Sequence, residues 1–223
     1  MLVKDFADSI ARRLVDAEDG YEFTHWTETD VIDAIRYAVG IVAMNRKGEF
    51  TREVDVLLRP GVQQRLGEGC KEMVGLVGTI DSRGEVVAPA VQTAYKSSAM
   101  LHRPICQSTR SDGHYVVRSW QRNLADTNGF SVQPPVPRGV DVRVRALCFS
   151  VPPVRSMDDE LGVAEQHLPI LSELVMYYAY SRDIESVASR ERAAHHWRVA
   201  VELMRMEVMS PAEVSGFVKE TKA

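Results

Sequence analysis

Residues 51–58 read TREVDVLL, and the alternation of Val54, Val56 and Leu58 with charged neighbours breaks a helical spacing that runs from Thr27 to Gly48. A period near two predicts a half-buried strand where the preceding period near 3.6 predicts a helix. The chain therefore changes class within a few residues.

Upstream, Val31, Ile35, Ala38, Val39 and Val42 form one apolar stripe. Thr27 with Asp30 three residues later makes an approximate capping box, so Thr27 starts this helix. Lys47 and Gly48 supply the charge and backbone freedom expected at its end. Earlier still, Phe6, Ile10 and Leu14 recur every four residues and predict an amphipathic helix ending near Gly20.

Downstream, apolar runs at Met73 to Ile80 and Glu85 to Val91 flank the polar residues Asp81, Ser82, Arg83 and Gly84, which predicts a hairpin. HYVVRSW, NGFSVQPPVP and VDVRVRALCFSV read as further strands. In the last, Val140, Val142, Val144 and Ala146 share one face, and Asp141, Arg143 and Arg145 the other. The cluster of Pro134, Pro135 and Pro137 cannot donate to a ladder, so its strand is expected to stop there. Residues 94–102 predict one short helix before Pro104.

Helical spacing returns from Ala164 to Arg182 through Leu168, Leu171, Leu174, Val175 and Tyr178, with Pro169 tolerable in the first turn. A second helix is expected from Ile184 through Ala193, Trp197, Ala200, Val201 and Met204, and the short link predicts an antiparallel helical hairpin. The expected fold is α+β: a helical body from both ends of the chain (1–50 and 160–210) with an inserted antiparallel β-rich domain (51–155). Residues 211–223 form a tail broken by Pro211 and Gly216.

Composition narrows the function. The 223 residues are 45% hydrophobic, enough for a real core, and carry 27 basic against 31 acidic side chains. A net charge of -4 argues against affinity that rests on wrapping phosphates. By segment the chain is acidic, basic and acidic, and the middle excess is mostly arginine, including Arg118, Arg122, Arg138, Arg143 and Arg145. Guanidinium groups suit hydrogen-bonded contacts to carboxylates or phosphates. Cys70, Cys106 and Cys148 are too few and too widely spaced for a disulfide framework, and no signal-peptide pattern precedes them, so synthesis in a reducing cytoplasm is expected. No stretch approaches the roughly 20 apolar residues of a membrane span.

No catalytic constellation stands out. His102, Cys106 and His114 are interrupted by Pro104, and adjacent His195 and His196 point about 100° apart on a helix, so no metal centre is expected. Ser97, Ser98 and Ser108 lack the glycines of a nucleophile elbow, and GEGCKE at Gly67 to Glu72 lacks phosphate-loop spacing, so it reads as a turn. Asp158, Asp159 and Glu160 read as loop charge, with contact to a neighbouring chain as the functional alternative. Tyr177, Tyr178, Tyr180 and Trp197 read as packing on the closing hairpin.

Three stretches, in order, resemble the head-to-tail adaptor proteins of tailed bacteriophages. They are HWTETDVIDAIRYAVGIVA, GFSVQPPVPRGVDVRVRALCFSVPP, and LPILSELVMYYAYSRDIESVASRERAAHHWRVAVELM. The first is similar to that family's tryptophan-threonine cap and acidic helix, the second to its strands separated by proline pairs, and the third to its closing hairpin. Ala38 and Val39 depart from the asparagine and small residue of related chains.

The resemblance implies a non-enzymatic virion protein, made in the host cytoplasm, that forms a dodecameric ring at the neck between the portal protein and the tail or nozzle. Double-stranded DNA would pass through the lumen unbound, and no cofactor or membrane is involved. It further implies portal contacts for Met206, Val208, Met209, Val214 and Phe217. Subunit or tail contacts would fall to the five arginines named above and to Asp158, Asp159 and Glu160. The alternatives are another phage connector, such as a stopper or tail-completion protein, and an α+β enzyme with an unrecognised site.

Overall fold

The computed structural model describes residues 1–14, 26–93, 115–182 and 186–206. It is a mixed α+β chain that divides into two compact units, Met1–Arg46 with Val151–Ala223, and Lys47–Ser150. The described residues of the first unit hold four α-helices, and those of the second hold two four-stranded sheets.

In the first unit, α1 (Val3–Leu14) buries Val3, Phe6, Ala7, Ile10 and Ala11 along one face. Two of its orphan first-turn amides are satisfied from far along the chain: Val3 N donates to Asp159 O and Lys4 N to Met157 O, each at 2.9 Å. Helix α2 (Glu28–Asn45) begins at the expected capping box. Asp30 N donates to Thr27 Oγ1 at 3.2 Å, and Thr27 N donates back to Asp30 Oδ2 at 3.1 Å, a motif worth about 1 kcal/mol. Its buried stripe contains every apolar position expected of it and adds Ile32, Ala34 and Ala43.

A 3-10 turn, Glu165–His167, leads into α3 (Leu168–Arg182), which places Pro169 in the first turn, where its missing N–H costs nothing. Helix α3 is buried on most sides, through Ile170, Leu171, Leu174, Val175, Met176 and Ala179. Helix α4 (Val187–Met206) packs against α3 with only Ala193 and Ala200 fully buried. The half-buried Ser186, Ser189, His196 and Leu203 continue those two positions at alternating steps of three and four, so a narrow seam holds α4 and both flanks stay open.

In the second unit, one sheet has the order β1 (Thr51–Leu57), β8 (Arg143–Phe149), β3 (Glu72–Ile80), β4 (Val86–Pro89). The other has the order β2 (Gly61–Arg65), β7 (Gly129–Val136), β6 (Ser119–Arg122), β5 (Val91–Gln92). Both sheets feed one core containing Met73, Val117, Trp120, Phe130, Val132 and Val144. The expected hairpin joins β3 to β4: Asp81 Oδ1 accepts from Arg83 N and Glu85 N, and Gly84 takes the left-handed φ of +82° that the turn needs. Gly78 on β3 lies so close to β4 that a Cβ there would sit 2.2 Å from Ala88 O.

Four features differ from the sequence expectation. Strand β7 runs through Pro134 and Pro135 to Val136, with a cis Gln133–Pro134 peptide. The prolines are tolerated because pairing with β6 ends at Gln133 and the register with β2 shifts between Gly61 and Gln63, so neither neighbour requires their missing N–H. The β unit is not wholly antiparallel, since β5 pairs with β6 in parallel. Val140 is exposed and precedes β8, following a turn in which Gly139 has φ +77°. Finally, Cys70 and Cys148 form a disulfide with Cα atoms 5.6 Å apart across 78 residues; pairing β3 with β8 brings together two cysteines that look isolated along the chain. The expected helix at 94–102 lies outside the described residues.

Candidate interaction surfaces

The five arginines assigned to contacts separate into two groups. Arg145 is the direct cross-strand partner of Asp55. Its Nε and Nη2 reach the Asp55 carboxylate at 2.8 and 3.2 Å, and Nη2 also donates to Gly84 O at 3.0 Å. The hydrogen bond from Arg145 holds the Asp55 carboxyl below its ordinary value and raises the guanidinium in turn. Arg122 donates to Glu72 Oε1, while Lys47 Nζ reaches Glu72 Oε2 at 2.9 Å. Hydrogen bonds from Lys47 and then Arg122 lower the Glu72 carboxyl against an opposing desolvation. Both arginines thus make sheet contacts within their own chain. Arg118, Arg138 and Arg143 are exposed, at the approach to β6, in the Gly139 turn and at the start of β8.

The acidic triplet is likewise divided. Asp159 Oδ2 accepts from Arg155 N at 2.6 Å and Ser156 N at 3.0 Å, and these bonds lower its carboxyl. Its loop presents the carbonyls that cap α1, so Asp159 organises a backbone junction, while Asp158 and Glu160 project into solvent. Of the assigned portal contacts, Met206 ends α4 and is exposed, and Val208, Met209, Val214 and Phe217 lie outside the described residues.

The closing hairpin carries two different aromatic groupings. Tyr180 stacks on His196 with centroids 5.6 Å apart and planes at 8°. His196 Nδ1 lies 2.7 Å from Glu173 Oε2, whose other oxygen accepts from Arg13 at 2.6 Å. Tyr177 and Trp197 instead continue onto α2: the ring of Tyr177 lies 5.0 Å from Trp197 and 6.4 Å from Tyr37, and Tyr37 lies 5.1 Å from Tyr178. Tyr177 and Tyr178 are half-buried, whereas Tyr37 and Trp197 keep 38% and 39% of their surface in solvent. Packing therefore accounts for only part of this group, and the rest is an open aromatic band. Sequence reasoning missed Tyr37; the available signal was a large ring lying off the buried stripe of α2.

A shallow apolar cleft lies between α1, α2 and α3, lined by Ile10, Leu14, Trp26, Val31 and Tyr178, with the Asp30–Arg182 ion pair at its lining. Among the described residues no three His, Cys, Asp or Glu side chains are grouped to hold a metal ion. His102, Cys106 and His114 lie outside them. The segment Gly67 to Lys71 turns the chain, with Gly69 at φ +97° and Cys70 N donating to Gly67 O at 3.4 Å, and Glu72 already begins β3. No described helix is long and apolar enough to cross a membrane.

Compared with known proteins, the chain matches no family model and no curated protein.

Proposed function

We propose that this chain is a structural subunit of a phage head-to-tail adaptor, a ring that joins the portal to the tail and lets double-stranded DNA pass. The observation that carries the reading is how the chain is divided. Helices from its two ends make one compact unit, and the 104 residues between them, Lys47–Ser150, make a separate β unit. This matches the order of features on which the sequence resemblance rests. In the reading, the helical unit supplies the ring body and the β unit meets the next tail component. The exposed Arg118, Arg138 and Arg143, with Asp158 and Glu160, offer charges for contacts between subunits or with the tail. Met206 and the segment beyond it supply the portal contacts.

The test is mass measurement of the chain alone and with a portal ring from the same phage. A chain that is weakly associated by itself should assemble into a ring on the portal, because the template raises the effective concentration of neighbours. Persistent monomer with no portal binding overturns the proposal.

A further inference from the structure

One end of the β unit gathers cations that find no partner in their own chain. Strand β1 carries the chain about 20 Å from the crossing at Lys47, and β8 returns it to Ser150, so the loops 58–60 and 137–142 lie at the far end of this strand pair. The two loops are fastened side by side. Leu58 N donates to Val142 O at 2.8 Å, Gly61 pairs with Val136, and the buried Gln64 side chain holds the backbone of Arg59. On this tip Arg59, Arg138 and Arg143 are exposed, and none of the three makes an ion pair or side-chain hydrogen bond with another described residue, in contrast to Arg122 and Arg145. Asp141 is its one acid. Among the guanidinium groups stand two exposed aliphatic side chains, Val140 and Leu57, the latter 57% exposed and opposite Arg143 in the ladder. Unpaired arginines around aliphatic side chains fit a protein surface of carboxylates around aliphatic contacts. A nucleic-acid backbone offers nothing to Leu57 and Val140.

The helical unit carries such a surface. An antiparallel bridge between Leu2 and Glu160, with Val3 N bonded to Asp159 O and Lys4 N to Met157 O, sets the start of α1 against the loop 157–160. At this junction Met1 and Leu2 are exposed, Leu2 at 41%, and the exposed Asp5, Asp158 and Glu160 surround them. Counting Asp159, four carboxylates stand against the cations Lys4 and Arg155, so the junction is net acidic where the tip is net basic.

We propose that the tip bearing Arg138 and Arg143 on one copy of this chain docks on the junction bearing Leu2, Asp158 and Glu160 on a second copy. Leu57 and Val140 would meet Met1 and Leu2 at the centre, and the charges would form the rim that fixes register. Tip and junction are different surfaces, so the contact is heterologous: each added copy leaves one tip and one junction unfilled, and the series ends when it closes on itself as a ring. The inference rests on the adaptor reading, which requires a ring, and names the contact between its neighbours.

Sedimentation at rising concentration tests it on four preparations: the parent chain, the tip variant R138E/R143E, the junction variant D158K/E160K, and an equimolar mixture of the two variants. Asp159 is left intact because it organises its loop. The parent should associate as concentration rises, and each variant alone should associate about tenfold more weakly, since like charges then face each other. The mixture should recover the parent's association, because a reversed tip meets a reversed junction. A parent that stays monomeric throughout, variants that associate as the parent does, or a mixture without recovery overturns the proposal. So does retention of a duplex DNA by the parent that the tip variant loses, which assigns the tip to phosphate. Portal binding is measured separately. A parent that binds a portal ring while its variants associate unchanged defeats this contact alone, and a parent that associates through the two patches but does not bind the portal defeats the adaptor reading alone.

Discussion

Arg13 at the end of α1 donates to Glu173 of α3 at 2.6 Å, joining positions 160 residues apart in the chain. Glu173 also meets His196 of α4, so one carboxylate connects three helices drawn from the two ends of the sequence. Its side chain is only 13% exposed, and that of His196 15%, so solvent screens their contact far less than it screens an ordinary surface pair.

Replacing Glu173 by Gln should therefore destabilise the helical unit by about 1–2 kcal/mol at neutral pH, as read by urea unfolding. Desolvation pushes this carboxyl up, but the hydrogen bonds from Arg13 and His196 together outweigh it, and the group lies below its ordinary 4.5. A depressed folded pKa contributes stability above the unfolded value and loses it as pH falls through the folded one. The difference between Glu173→Gln and the parent should shrink below about pH 4.5. A constant difference down to strongly acid pH would contradict the ionic role.

Tyr115 supplies a second test, in the β unit. Its hydroxyl donates to Pro134 O, and burial pushes the phenol up to about 12. In a spectrophotometric titration Tyr115 should stay protonated at about pH 11, above the ordinary phenol value of 10. Because the folded pKa is raised, its contribution is intact below 10 and is lost as pH rises through the folded value. Tyr115→Phe should abolish that late phase and cost about 1 kcal/mol, since the Pro134 carbonyl loses its donor. Retention of the late phase in the variant would refute the assignment.

The Cys70–Cys148 pair predicts a thiol count. Of the three cysteines, an oxidised chain unfolded without reductant should titrate one, Cys106, and after reduction all three. Closing a loop across 78 residues should stabilise the oxidised form by about 4 kcal/mol over the reduced one, measurable from paired denaturation curves. Three reactive thiols before reduction would show that the bond does not form.

Local chemistry made much of this protein legible from its residues. The Thr27–Asp30 box, the stripe of α2, the alternation of β1, the Asp81–Gly84 turn and the position of Pro169 depend on groups a few positions apart, whose geometry follows from backbone period and hydrogen-bonding capacity. Strand β2 was missed, because GVQQR presents no apolar alternation. It is held by pairing with β7 and by buried Gln64, whose side chain hydrogen-bonds the backbone of Arg59 and Gly61. The acidic triplet shows the same boundary: its charge is plain in the sequence, but Asp159 becomes the organiser of a loop that caps α1 only when that loop meets Met1 to Lys4.

What the residues determined alone was periodic: where α2, β1 and the closing helices lie, which face of each helix is apolar, and that a β-rich stretch interrupts two helical ones. Tertiary structure decided the rest: that β7 passes through its prolines, that Cys70 meets Cys148, that Arg145 and Arg122 find carboxylates in their own chain, and that Tyr37 joins Tyr177 and Trp197. Each of these joins residues distant in sequence, and their proximity is set by strand register and helix packing, to which local propensity carries no information.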